Sequence, residues 1–99
     1  FASGCTGYDQ DTDSISEDPA EQTHQAFKLI NWLLDEAGFS LSDVVRIVVY
    51  LSDREDFKAV APVIGKHFEG INPANTTVEA RLVDPRMKVE IEVTAYRGS

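Results

Sequence analysis

Ninety-nine residues fit a single domain, and a chain this short buries only about 60–70% of its unfolded surface, so further burial on oligomerisation is useful. A net charge of −8, with nine basic residues scattered from Lys28 to Arg97, repels phosphate backbones, and no nucleic-acid partner is expected. Hydrophobic content of 42% without any apolar run near the roughly 18–20 residues of a membrane span argues against a membrane protein, and the unpaired Cys5 suits a reducing, cytoplasmic setting.

The opening Phe1-Ala2-Ser3-Gly4 reads as the end of a strand with no leader before it, so an N-terminally incomplete chain is expected. Residues 6–17 are rich in Gly, Asp, Ser and Thr and read as a solvated loop or hairpin connection. Asp18-Pro19-Ala20-Glu21 then marks a helix start: Asp18 can cap, Pro19 suits the first helical position, and Glu21 stands where a carboxylate reaches back. Ala26, Phe27, Ile30, Leu33, Leu34 and Ala37 recur at spacings of three and four along one side of this helix, which Gly38 ends. The apolar run from Val44 to Leu51 reads as a central strand covered on both faces. Ser52-Asp53 or Asp56 begins a second helix that carries Phe57, Val60, Ile64 and Phe68 inward. Pro62, which lacks an N–H, predicts that this helix comes in two pieces.

A loop over 70–75 leads into two strands, Asn72 to Glu79 and Lys88 to Val93, separated by a turn at Asp84-Pro85-Arg86. In the last strand Val89, Ile91, Val93 and Ala95 share one face and Glu90, Glu92, Thr94 and Tyr96 the other. Read as neighbours, the two strands bring Glu90 level with Asn75 and Thr77. The element order predicts an α+β sandwich with two helices on one face of the sheet.

The residues that could carry chemistry are few. Glu90 can act as an acid or base if it is partly enclosed, and is otherwise an exposed strand glutamate. Ser3, Asn75 and Thr77 offer hydrogen bonds to a ligand, and no histidine is placed to make a nucleophile of either hydroxyl. Cys5 has no cationic neighbour in sequence and reads as an incidental thiol. His24 and His67 fall on different helices without metal-ligand spacing, so surface or packing roles are expected and no metal site. Asp9, Asp11 and Asp13 lack the glycine of a calcium loop, with Ser14 in its place, and read as a solvated acidic segment. Gly4-Cys5-Thr6-Gly7 lacks the ending of a phosphate loop. Trp32 lies off the apolar stripe, at a partner surface or a half-buried edge.

Several separated motifs together resemble one family. Ser3-Gly4, the helix with Gln22 and Gln25, the run from Ala37-Gly38 to Arg46, Val49-Tyr50-Leu51-Ser52-Asp53, Asp56-Phe57, Pro73-Ala74 and Lys88-Val89-Glu90-Ile91-Glu92 are similar, in order and over the whole chain, to the RidA/YjgF family of reactive-intermediate deaminases. The resemblance implies a chorismate-mutase-like α+β domain over residues 1–99, lacking its N-terminal strand. It also implies a homotrimer around a central barrel and a small-molecule pocket at each subunit interface, with no cofactor. The family's founding activity hydrolyses enamines and imines to 2-oxo acids and ammonia.

In that family an arginine after Pro-Ala binds the substrate carboxylate, and the first glutamate of the last strand holds the water or proton. Glu90 keeps the second position, but Asn75 stands at the first, and an amide cannot replace a charged bidentate fork. Thr77 occupies a position often held by cysteine, and Ala61 and Ile64 replace an asparagine and a tyrosine. The expected pocket is lined by Ser3, Gly4, Asn75, Thr77 and Glu90. It takes a small polar metabolite, with an imine hydrolase of unusual substrate and a non-catalytic ligand-binding module as the two readings.

Overall fold

The computed structural model describes residues 2–9, 11–12 and 14–97, apart from the side chains of Ala2, Ser3 and Gly4. Its elements are β1 (Ala2–Thr6), a short hairpin of β2 (Tyr8–Asp9) and β3 (Ser14–Ile15), α1 (Pro19–Glu36), β4 (Val44–Leu51), α2 (Phe57–His67), β5 (Ala74–Glu79) and β6 (Val89–Ala95). The main sheet has the order β1-β6-β4-β5, antiparallel except for the parallel pair β4–β5. Both helices lie on one face of this mixed sheet, the α+β arrangement expected.

The signals read for α1 hold at both ends except at Glu21, because the Asp18 N–H donates to Ser16 Oγ at 3.1 Å instead of to that carboxylate. Asp18 accepts a hydrogen bond from the Ala20 N–H at 3.0 Å, and Pro19 occupies the first turn. At the other end Gly38 adopts φ of 82°, and the Phe39 and Gly38 N–H groups bond to the Leu34 and Asp35 carbonyls, a Schellman stop. Between them Ala26, Phe27, Ile30 and Leu34 are buried against Ile47, Val49, Ile91 and Val93 of the sheet. Ala37, counted in the stripe, caps the helix and is exposed.

Four expectations change. α2 runs unbroken through Pro62, because the proline sits on its exposed side, where the carbonyl it orphans can turn to water. A 3₁₀ turn at Arg54–Asp56, capped by Asp53 through the Glu55 N–H, precedes it, so both proposed starts are used. Phe57 is not carried inward: 49% of it is exposed, at the edge of the helix layer. The central strand has helices over one face only. On that face Ile47, Val49 and Leu51 are buried. On the other, Val48 is buried among its neighbours, Tyr50 is half-buried, and Arg46 is exposed and pairs with Glu92 at 3.8 Å.

The fourth change concerns the last two strands, which are not neighbours. β4 lies between them, with Val49 opposite both Thr77 on β5 and Ile91 on β6. Connecting β4 to β5 through α2 makes a parallel crossover unit, which leaves residues 80–88 to carry the chain back across β4.

Gln22 ties the connecting segments to the helix layer. Fully buried, it donates from Nε2 to the Ser16 carbonyl at 2.6 Å and the Arg86 carbonyl at 2.9 Å, and accepts from the Lys88 N–H at 2.8 Å. Gly7 passes directly beneath it: a Cβ there would stand 2.4 Å from Gln22 Cβ and 2.6 Å from Gln22 Cα.

Candidate functional site

The sheet register decides where each expected site residue goes. Asn75 and Thr77 are the β5 partners of Ile47 and Val49, so they lie on the helix-covered face. Glu90 is the β6 partner of Tyr50 and of Thr6 on β1, so it lies on the open face, where it is half-buried. It is level with Val78, the other partner of Tyr50, and not with Asn75. Ser3 and Gly4 belong to β1, the strand that flanks β6 on the side away from β5, and the side chain of Ser3 lies outside the described residues. One copy of the chain therefore divides the expected pocket: Asn75 and Thr77 at one edge of the sheet, Glu90 and Ser3 toward the other edge.

A cleft of about 410 Å³ opens beside Asn75 and Thr77, within the range of small-ligand pockets. It exists because α1 packs over β1 and β6 with α2 alongside, so the helix layer stops short of the edge strand β5, every residue of which is exposed. Ile47 and Val49 form the floor, Phe57, Ala61, Ile64 and Phe68 the helix wall, and Ile71 and Pro73 one end. Ala61 and Ile64, where the family resemblance leads one to look for an amide and a phenol, add apolar surface here. The Thr77 hydroxyl donates to Asn75 Oδ1 at 3.0 Å, which occupies one lone pair of the amide oxygen and leaves its NH2 free to donate.

Sequence reading selects Asn75 and Thr77 but not the apolar wall. The wall's signal is present in Phe57, Ile64 and Phe68, apolar residues at helical spacing of which Ile64 and Phe68 turn inward and Phe57 is left half exposed at the edge of the helix layer. Charge is sparse: Glu69 is the charged residue among the described lining, and Arg54 lies in an adjoining groove beyond Thr77 with Glu55 and Glu79.

The remaining candidates have structural roles. Cys5 is 1% exposed, and burial, assisted by the Glu90 charge, pushes its thiol up to about 11, so it stays protonated and inert. His24 and His67 meet across the two helices, Nδ1 to Nε2 at 3.3 Å, and His67 stacks on Phe27 with ring centroids 4.2 Å apart. The described residues contain no group of three potential metal ligands. Asp9 caps a local turn through the Asp11 N–H at 2.9 Å, and Asp13 lies outside the described residues. Trp32 is exposed, and no described helix is long and apolar enough to cross a membrane.

Comparison with known proteins agrees with the fold. The family description Endoribonuclease L-PSP matches residues 1–97. A RutC family protein of Pyrococcus horikoshii is 35% identical over 98 residues, 98% of this chain and 78% of that protein. A plant protein named Reactive Intermediate Deaminase A, from Arabidopsis thaliana, is 33% identical over 96% of this chain, which spans 51% of its length. Among solved structures, RidA from an Antarctic Psychrobacter superposes with a TM-score of 0.87 at 32% identity, covering 95% of this chain and 76% of that one.

Proposed function

The chain belongs to the Endoribonuclease L-PSP family, the RidA/YjgF proteins, and from that membership we propose that it binds and hydrolyses a small C=N compound in a pocket that is complete only between copies of the chain. The observation that carries this reading is the division of the site. Asn75 and Thr77 sit at the β5 edge on the helix side, while Glu90 sits on the open face. A carboxylate and a ligand-holding amide on opposite faces of one sheet cannot serve one ligand, whereas the open face of one copy set against the β5 edge of another can bring them together.

A homotrimer with its sheets around a central barrel is the assembly proposed. It would cover the face that holds Arg46, Tyr50, Val78 and Glu92, and it would protect the exposed edge strand, which is otherwise open to uncontrolled pairing. In the assembled pocket Asn75 orients the ligand, Ser3, Gly4 and Thr77 supply polar contacts, and Glu90 holds the attacking water. No cofactor is required, because water adds to the C=N carbon and nitrogen leaves as ammonia.

A binding-only reading is favoured by one feature, Asn75 at the position where the resemblance implies an arginine. Ammonia release from freshly generated 2-iminopropionate and 2-iminobutyrate separates the two, measured for the unmodified protein, Asn75→Arg, Glu90→Ala and the double variant. Turnover that appears in the unmodified protein or in Asn75→Arg, and that is lost when Glu90→Ala is added, supports the hydrolase. Silence throughout, in a protein that sediments as a monomer at all concentrations, refutes both the chemistry and the shared pocket.

A further inference from the structure

Resting on that reading of the site, we infer that the cleft between α2 and β5 selects an uncharged ligand with an apolar body and one hydrogen-bond acceptor, a carbonyl oxygen or a neutral imine nitrogen, and discriminates against carboxylates. Three features of the cleft converge on this class.

The first is the lining. The floor and helix wall are hydrocarbon and aromatic, and the described lining holds no lysine, arginine or histidine. A carboxylate entering there sheds hydration and gains no counter-charge from this lining, whereas an apolar body gains from leaving water. The second is the polarity of the one hydrogen-bonding wall. Because the Thr77 hydroxyl spends its one proton on Asn75 Oδ1, the hydrogens the pair still offers are those of the Asn75 amide, which suit an acceptor on the ligand, and its oxygens keep lone pairs that repel an anion. The third is the surrounding charge. Glu69 at the rim and the net charge of −8 both oppose an anion, and the Arg54 cation in the adjoining groove shares its place with Glu55 and Glu79.

The chemistry tolerates such a substrate. In hydrolysis one imine and one water give one carbonyl compound and one ammonia. The water oxygen ends doubly bonded to the former imine carbon, both bonds of the C=N group break, and the two water protons leave with the nitrogen. A carboxylate elsewhere on the imine is a handle and not a reactant. N–H imines that carry no carboxylate therefore fit this cleft better than imino acids, and their carbonyl products fit the same donor wall.

The test uses two probes of one shape, benzamide and benzoate, titrated at pH 7.5 into the unmodified protein and into Asn75→Arg and Ala61→Phe. Benzamide is expected to bind about tenfold more tightly than benzoate, or better. Asn75→Arg should reverse the order, and Ala61→Phe, which fills the cleft, should weaken benzamide at least tenfold. Benzoate binding as tightly as benzamide, benzamide binding indifferent to Ala61→Phe, or binding of neither probe would each overturn the inference. Failure of the hydrolase reading is separable. A benzamide preference with no ammonia released from any imine leaves the ligand class standing and removes catalysis. Ammonia release from 2-iminopropionate alongside equal binding of the two probes does the opposite.

Discussion

Replacing Gln22 by methionine tests the account of how the connecting segments are held. Methionine keeps the length and nearly the volume of the side chain, so the buried space stays filled, while all three hydrogen bonds of Gln22, to the Ser16 and Arg86 carbonyls and from the Lys88 N–H, are lost. Ser16 and Arg86 are exposed residues whose carbonyls can find water, and Lys88 is half-buried, so the full desolvation penalty does not fall on every group. At about 1 kcal/mol net for each bond the loss is about 3 kcal/mol, rising toward 5 if the Lys88 N–H stays dry. For a domain of this size that is roughly a 12–24 °C drop in Tm. Urea unfolding followed by far-UV circular dichroism at fixed protein concentration measures it, with Gln25→Met, at a half-buried position on the same helix, as a control expected to move within about 0.5 kcal/mol. A loss under about 1 kcal/mol for Gln22→Met would show that the segments around residues 16 and 86–88 are held by something else.

Gly7→Ala should cost about 2–3 kcal/mol, the upper range of overpacking, because the added Cβ meets the backbone of α1 at Gln22 Cα as well as its side chain; an unchanged melting curve would contradict the close approach. The pKa of His67 is lowered by burial, by His24 and by Lys66. The unfolded chain therefore binds the proton more readily, and stability present above the ordinary histidine value is lost as pH falls below it. Urea midpoints should fall between pH 7.5 and 5.5, and His67→Asn should flatten that fall; a slope untouched by the substitution would remove the histidine pair as its cause. With its pKa at about 11 in the fold, the Cys5 thiol should resist Ellman's reagent at pH 8 in the native protein and react promptly in 6 M guanidinium. Rapid labelling of the folded protein would mean that β1 opens readily.

What was legible in the sequence was what depends on neighbours along the chain. Asp18 and Pro19 start α1, Gly38 stops it, Asp53 caps the turn before α2, and Asp84-Pro85-Arg86 turns the chain, with the Arg86 N–H on Asp84 Oδ1 at 2.8 Å. Each is a contact within four residues, and each residue type has a local reason to be there. Pro62 misled for a complementary reason. The rule that proline breaks helices assumes that the orphaned carbonyl stays dry, and here it lies on the solvent side of α2. The apolar wall of the cleft was hidden because Ile64 and Phe68 look the same in sequence whether they complete a core or line a hollow.

The misplacement of Glu90 has a longer-range origin. Strands adjacent in sequence pair more often than not, which favours a hairpin of β5 and β6. The contrary signal lay elsewhere: a near-continuous apolar β4, then a helix, then β5, is the pattern of a parallel crossover, and a strand that has gained a parallel neighbour on one side must meet β6 on the other. Once β4 separates them, period-two alternation does the rest. Asn75 and Thr77 inherit the face of Ile47 and Val49, and Glu90 inherits that of Tyr50. The register that keeps Glu90 away from Asn75 within one copy also favours the proposed pocket between copies, because Asn75 and Thr77 stand at the exposed β5 edge and Glu90 on a face the helices leave uncovered.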